Sequence, residues 1–328
     1  MNNKTLAEIS NYIIKFCGKP PISLSQPEIK KEDIKTVLKE LKNKNVGLGK
    51  YNFLFQKKIS NITRSKNIIL VSSGTCGLFA CLKCFNISTG NEVLLPSFNY
   101  IAAANSIRAC NADPHFVDSS INTLGVDYEN LEKYLRKISI FKNRKLINIK
   151  TKKIIKALII THVFGHSEDM QKAKKFCKKF GLILIEDATE ALGSYFKKKH
   201  LGTIGDAGVL SFNGNKIITT GGGGAIIVKS RKRFNLIKKF VNNGKVENKS
   251  ELLFDQFGLN FKMPNLNAAL GYSQINNLKK FIYKRRKLFT KYDSIKSQSF
   301  SIIKEPNYGK SNYWLQGLRL KKDKNKKN

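Results

Sequence analysis

Acidic residues are scarce in this chain: 23 Asp and Glu stand against 60 Lys and Arg, for a formal net charge of +37 over 328 residues. No stretch approaches the ~20 consecutive apolar residues that a membrane-spanning helix needs. Residues 1–20 interleave charges where a secretory leader would carry an apolar run. A cytoplasmic protein with no membrane partner is therefore expected. Arginine is sparse too, at nine of the 60 basic residues, and arginine is the side chain that reads bases and phosphates bidentately. The lysines run the length of the chain without a recognisable binding motif, so no nucleic-acid partner is expected. Their field would still draw in an anionic small substrate. Histidine occurs only four times and cysteine six times. Cys81 and Cys84 form a single C-x-x-C with Cys76 nearby, and no second pair or histidine cluster completes a zinc site. The cysteines read as reduced core residues, and no metal is expected.

What the chain does have is apolar content, 41% of its residues, enough to bury a sizeable core. Its length suggests about two domains. Ile34, Val37, Leu38 and Leu41 recur at helical spacing before Gly47-Leu48-Gly49, so residues 1–50 read as a helical arm. From Ile68 to Val228, apolar strands alternate with amphipathic helices. The strands are Ile68–Val71, Glu92–Leu95, His115–Val117, Ala157–Ile160, Leu182–Ile185, Val209–Phe212 and Ala225–Val228. That alternation predicts an α/β domain with a mainly parallel sheet, over 51–245. The lysine-rich stretch 138–153 reads as a surface excursion. Long helices are expected at Arg231–Asn242 and Asn265–Arg286, then a strand at Trp314–Leu320 and a polar tail. The third region, 246–328, reads as a small, incomplete domain that leaves Trp314 and Leu318 uncovered.

Several strand ends carry chemistry. Ser73-Gly74-Thr75 stands between a strand and a helix, where free N–H groups and a glycine admit a phosphate. The same residues also fit a simple N-cap. Pro96-Ser97-Phe98-Asn99-Tyr100 offers Tyr100 as a ring to stack on a flat cofactor, or as ordinary core. Asp187 ends an apolar strand, where a carboxylate points into the ligand crevice of an open sheet. There it could pair with a pyridine nitrogen, bind magnesium or cap a helix, and Glu190 follows one helical turn later. Lys216 lies in Ser211-Phe212-Asn213-Gly214-Asn215-Lys216, just before Gly221-Gly222-Gly223-Gly224. A lysine in such a turn is ordinarily solvated; in a partly dehydrated one it can lose its proton and attack a carbonyl. Ser211 could reach a phosphate, and His162 and His166 flank Val163-Phe164-Gly165 on the same edge. A phosphate cradle, a buried aspartate and a lysine, in that order, suit pyridoxal 5'-phosphate.

Together with Met263-Pro264-Asn265-Leu266-Asn267-Ala268-Ala269, these segments make the chain resemble the DegT/DnrJ/StrS sugar-nucleotide aminotransferases. The likeness runs from about Pro20 to Leu320. It implies a fold-type I pyridoxal-phosphate transferase, with a large α/β/α domain and a small C-terminal one. It also implies roles: Gly74, Thr75, Cys76 and Ser211 on the phosphate, Tyr100 over the ring, Asp187 on the pyridine nitrogen, Glu190 near the phenolic oxygen, and Lys216 as the Schiff-base lysine. Family members are homodimers with shared active sites, and Asn243 stands where a partner chain's asparagine reaches the phosphate. Cys76 replaces the usual alanine, and Lys262 an arginine or asparagine. Within the family, Ser211–Lys216 and Pro21-Ile22-Ser23-Leu24-Ser25 are most similar to the legionaminic acid and bacillosamine branch. The implied reaction is transfer of an amino group from glutamate to C4 of a UDP-linked 4-keto-6-deoxy-N-acetylhexosamine. A silent binding protein or regulator of the same fold is the alternative. The related sugar dehydratases carry histidine in place of the lysine.

Overall fold

The computed structural model describes residues 3–246 and 252–321. The polar tail expected after Lys321 lies outside them. Two helices, α1 (Asn3–Cys17) and α2 (Lys31–Lys42), precede α3 (Lys50–Thr63). Then β1 (Ile68–Val71), α4 (Gly74–Cys84), β2 (Asn91–Pro96), α5 (Ala102–Ala109), β3 (Asp113–Val117) and α6 (Tyr128–Ile138) alternate as expected. A hairpin, β4 (Ser139–Lys142) and β5 (Lys145–Asn148), leads into β6 (Ile154–Thr161), α7 (Met170–Phe180) and β7 (Ile183–Asp187). The short pair β8 (Tyr195–Phe196) and β9 (Lys199–His200) precedes β10 (Ala207–Ser211), β11 (Gly224–Val228) and α8 (Arg231–Phe240). Last come α9 (Asn265–Gln274), α10 (Leu278–Asp293), β12 (Phe300–Ile302), β13 (Gly309–Lys310) and β14 (Leu318–Leu320).

The central sheet runs β1-β11-β10-β7-β6-β2-β3. From β10 to β3 every neighbouring pair is parallel, while β11 is antiparallel to both β1 and β10. Strands β1, β2, β10 and β11 are buried along their whole length, which is why β1, Val93–Leu95 of β2, Val209–Leu210 of β10 and Ala225–Val228 of β11 read as apolar runs rather than alternating ones. Helices cover both faces, and the buried side chains form two clusters, one on each side of the sheet. Cys81 is fully buried within one of them, and desolvation pushes its thiol pKa up. Among the described residues, no helix is long and apolar enough to cross a membrane.

Four expectations are corrected. Residues 138–153 lie at the surface as expected but are not an excursion from the sheet, because the β4–β5 hairpin pairs onto β6 and joins it. The helix expected to run from Asn265 to Arg286 is broken by a 3-10 turn at Ile275–Asn277, where Lys30 Nζ donates to Asn277 Oδ1 at 2.6 Å. The helix expected to end at Asn242 stops at Phe240, since Asn243 adopts a left-handed conformation. Trp314 is neither in a strand nor uncovered: it is 8% exposed, and the strand begins only at Leu318.

Candidate active site

The parallel strands β2, β6, β7 and β10 deliver Pro96, Thr161, Asp187 and Ser211 to one carboxyl edge of the sheet. Strand β11 starts at that edge with Gly224, which pairs with both Val71 and Ser211. A Cβ on Gly224 would come within 2.9 Å of the Gly74 nitrogen. The glycine run thus lets β11 slide beneath the first turn of α4.

That turn is built as a cradle. Ser73 caps α4, its Oγ accepting the Cys76 N–H at 3.0 Å. With the Cys76 N–H bonded there, the donors of the first turn left open among the described residues are those of Gly74 and Thr75. A Cβ on Gly74 would sit 3.0 Å from Thr189 Cγ2 and 3.2 Å from Ser211 Cβ. Only glycine leaves the Ser211 hydroxyl and the helix N-terminus this close, a hollow suited to a phosphate.

Asp187 is 4% exposed. Its Oδ1 accepts the Thr189 N–H at 3.2 Å, and among the described residues Oδ2 has no hydrogen-bond partner. Glu190 accepts the Phe164 N–H at 2.7 Å and lies 3.8 Å from Lys216 Nζ. Burial pushes the Glu190 carboxyl up to about 7, against the pull of the nearby lysine. The Lys216 side chain is 13% exposed. Burial holds its ammonium pKa below the usual lysine value, while Glu190 and Asp187 oppose that shift. Lys216 is thus a dehydrated lysine in a turn, and not a solvated one. Lys216, Asp187, Glu190, Ser211 and the Gly74–Thr75 turn come together as the motif order implies.

Other expected residues stand apart. Tyr100 is 72% exposed. Asn243 is exposed in the turn after α8, with its N–H on the Leu259 carbonyl. His162 is buried: its Nδ1 accepts the Glu168 N–H at 3.1 Å, so the proton resides on Nε2, 3.0 Å from Glu186. Its own N–H bonds the Asp187 carbonyl, tying β6 to β7 beneath the site. His166 is buried, neither ring nitrogen has a hydrogen-bond partner among the described residues, and desolvation drops its pKa to about 4.

The sequence gives little warning of the segment 311–314. Ser311 Oγ donates to the Gly165 carbonyl at 3.0 Å, and Asn312 Nδ2 donates to the Glu190 and Leu192 carbonyls, both at 2.9 Å. Trp314 then lies against Lys216, with the Nζ 3.9 Å from the ring centroid. Its being the chain's single tryptophan is the one available sequence signal.

A model of the DegT/DnrJ/EryC1/StrS aminotransferase family matches residues 27–328. The chain is 32% identical over 273 residues to a GDP-perosamine synthase of Vibrio cholerae, covering 83% of this chain and 70% of that one. It is 28% identical to a UDP-4-amino-4,6-dideoxy-N-acetyl-beta-L-altrosamine transaminase of Helicobacter pylori, covering 83% and 68%. Among solved structures, a Helicobacter pylori aminotransferase involved in the biosynthesis of pseudoaminic acid superposes with a TM-score of 0.80 at 26% identity, covering 91% of this chain and 77% of that one. The expected fold, that of pyridoxal-phosphate-dependent transferases with a mostly parallel sheet, is the one present.

Proposed function

The chain belongs to the DegT/DnrJ/EryC1/StrS aminotransferase family, whose enzymes use pyridoxal phosphate, and on that premise we propose that it moves an amino group from glutamate to C4 of a nucleotide-linked 4-keto-6-deoxy sugar. The observation that carries this reading is the buried Lys216 beside Asp187, Glu190 and the Gly74 cradle. The donor set fits the cofactor: a hollow at a helix N-terminus, a carboxylate oxygen without a partner, and an amine held out of water.

Gly74, Thr75 and Ser211 would hold the phosphate, and Asp187 Oδ2 would hold the protonated ring nitrogen. Bound pyridoxal phosphate supplies an electron-withdrawing ring that stabilises negative charge on the carbon next to the transferred nitrogen. Lys216 Nζ is positioned to take the proton from the carbon bearing the donor's amine and to return one at the sugar carbon. Its lowered pKa makes the neutral amine accessible nearer neutral pH. Glu190, which titrates near 7, provides a second group able to hold a proton beside that amine. Its contact with the Phe164 N–H fixes the loop after β6.

Tyr100 and Asn243 are both exposed: Tyr100 would stack over the ring, and Asn243 would reach the phosphate held by a second copy. This reading makes the enzyme a homodimer of the cytoplasm. Its substrate would be a UDP-linked 4-keto-6-deoxy-N-acetylhexosamine in surface-polysaccharide or nonulosonic acid synthesis, such as that of legionaminic acid. The test is amination of GDP- and UDP-linked 4-keto-6-deoxy sugars with glutamate and added cofactor. A 4-amino sugar and 2-oxoglutarate in equal amounts are expected, with the UDP-linked N-acetyl sugar preferred. Conversion of none of them by protein that retains its cofactor would overturn the substrate reading.

A further inference from the structure

The chain's one tryptophan has no part in the reaction as described so far, yet it touches the lysine at two levels. Lys216 Nζ stands 3.9 Å from the Trp314 ring centroid, within the range of a cation–π contact. The Trp314 Nε1–H also donates to the Asn215 carbonyl at 2.7 Å, one residue before the lysine, and Ser25 Oγ donates to the same carbonyl at 2.7 Å. Trp314 is itself held, its N–H on Asn312 Oδ1 at 2.8 Å, while Asn312 grips the Glu190 and Leu192 carbonyls. One short segment therefore fixes the lysine turn, the glutamate turn and the tryptophan together.

We propose that Trp314 is a positioning residue for Lys216, its ring face and its indole N–H together setting where the amine stands and how readily it yields its proton. The groups that face the amine are Glu190 and Asp187 from the end of β7 and the turn after it, and Trp314 from the C-terminal segment. Ser25, from the segment before α2, is uncharged. The two carboxylates and the ring face all favour the ammonium form, against burial, which favours the neutral amine. Removing the ring takes away one of these supports and loosens the turn at Asn215.

Because Trp314 is the only tryptophan, the contact can be read in the cofactor-free full chain. An ammonium group beside an excited indole quenches it by proton transfer, so emission is expected to rise as pH rises through deprotonation of Lys216. The midpoint should lie below the ~10.4 of a free lysine, and the step should vanish in Lys216→Met. A step that persists in Lys216→Met, or is absent from the wild-type chain, would overturn the proposal. A second arm rests on Lys216 being the cofactor lysine. It follows, against pH, the rate at which added pyridoxal phosphate becomes fixed to Lys216 on borohydride reduction. Trp314→Leu should move the profile to the acid side, because the ring face no longer favours the ammonium form, and should lower its plateau about tenfold, because the turn at Asn215 loses its indole N–H bond and the amine is displaced; Trp314→Phe, which keeps a ring face but no N–H, should recover the position of the profile and not its plateau. Wild-type rate and profile in Trp314→Leu would overturn the role. Should Trp314→Leu fail to fold, the emission titration decides. Should wild-type Lys216 capture no cofactor, the reading of the lysine fails, while the emission step still decides the Trp314 contact.

Discussion

Glu190 Oε1 lies 3.8 Å from Lys216 Nζ, and the other oxygen of the same carboxyl accepts the Phe164 N–H at 2.7 Å. One side chain thus joins the lysine to a loop in which Phe164, at φ 56°, is left-handed. A non-glycine residue pays a steric cost for that conformation, and the bond to Glu190 helps hold it.

The charge of Glu190 and its hydrogen bond can be separated. Glu190→Gln keeps an oxygen for the Phe164 N–H but removes the negative charge that raises the Lys216 pKa. The lysine should then lose its proton at lower pH. The pH profile of cofactor capture is expected to move to the acid side, with the melting temperature near wild type. An unmoved profile would count against the coupling.

Asp187 presents a buried carboxylate with one unpaired oxygen at the strand end. Asp187→Asn should still bind the cofactor but lose the charge that keeps the ring nitrogen protonated. Turnover should fall roughly 100-fold or more, the usual scale for removing a preorganised electrostatic group. Steady-state rates at saturating cofactor check this, and near-normal turnover would refute the role.

Two buried groups predict opposite pH effects on stability. Burial raises the Glu168 carboxyl from 4.5 to about 8. The folded state therefore disfavours its charged form: stability is full below the unfolded value and is lost as pH rises through the folded one. Glu168→Gln should remove that loss, gaining stability on the alkaline side while still accepting the Val126 N–H. His166 is lowered from 6.5 to about 4, so its stability term is present above 6.5 and lost as pH falls through 4. Its ring meets Tyr313 edge-on, with centroids 5.0 Å apart, and bonds nothing through its nitrogens. His166→Phe should therefore flatten the acid side. Urea melts from pH 4 to 9 would show both changes, or contradict them if the variants track wild type.

Assembly gives a further outcome. Ile34, Leu38 and Leu41 leave an exposed apolar stripe on α2, and Leu48 and, on α3, Phe53 are exposed as well. Such a patch on a charged surface suits a second copy of the chain. Light scattering should report a dimer, and Leu38→Glu with Phe53→Glu a monomer. Pyridoxal phosphate should raise the melting temperature, because a ligand that binds only the folded state stabilises it. A wild-type monomer with no cofactor-dependent shift would contradict this.

The sheet and the core of the site were legible because their signals are local. The apolar run Leu182–Ile185 leads to Asp187 and the run Val209–Phe212 carries Ser211, both at the crevice edge, and a glycine-rich turn after Lys216 marks close backbone packing. What escaped depends on distant partners. The 3-10 break at Ile275–Asn277 is held by Lys30 and Lys58, from the other end of the chain. The β4–β5 hairpin is lysine-rich and reads as solvated, yet Asn148 Nδ2 anchors it to the buried Glu92 at 3.0 Å. Trp314 reads as uncovered because its cover, the turn at Asn215, lies 99 residues away.

The identity of the reactive lysine is the central claim, and one measurement addresses it directly. The full chain is loaded with pyridoxal phosphate, reduced with borohydride, digested and mapped by mass spectrometry. A single phosphopyridoxyl group on the peptide containing Lys216 is expected, with none retained by Lys216→Ala that keeps wild-type circular dichroism. Label on another lysine, or undiminished label in Lys216→Ala, would contradict the account.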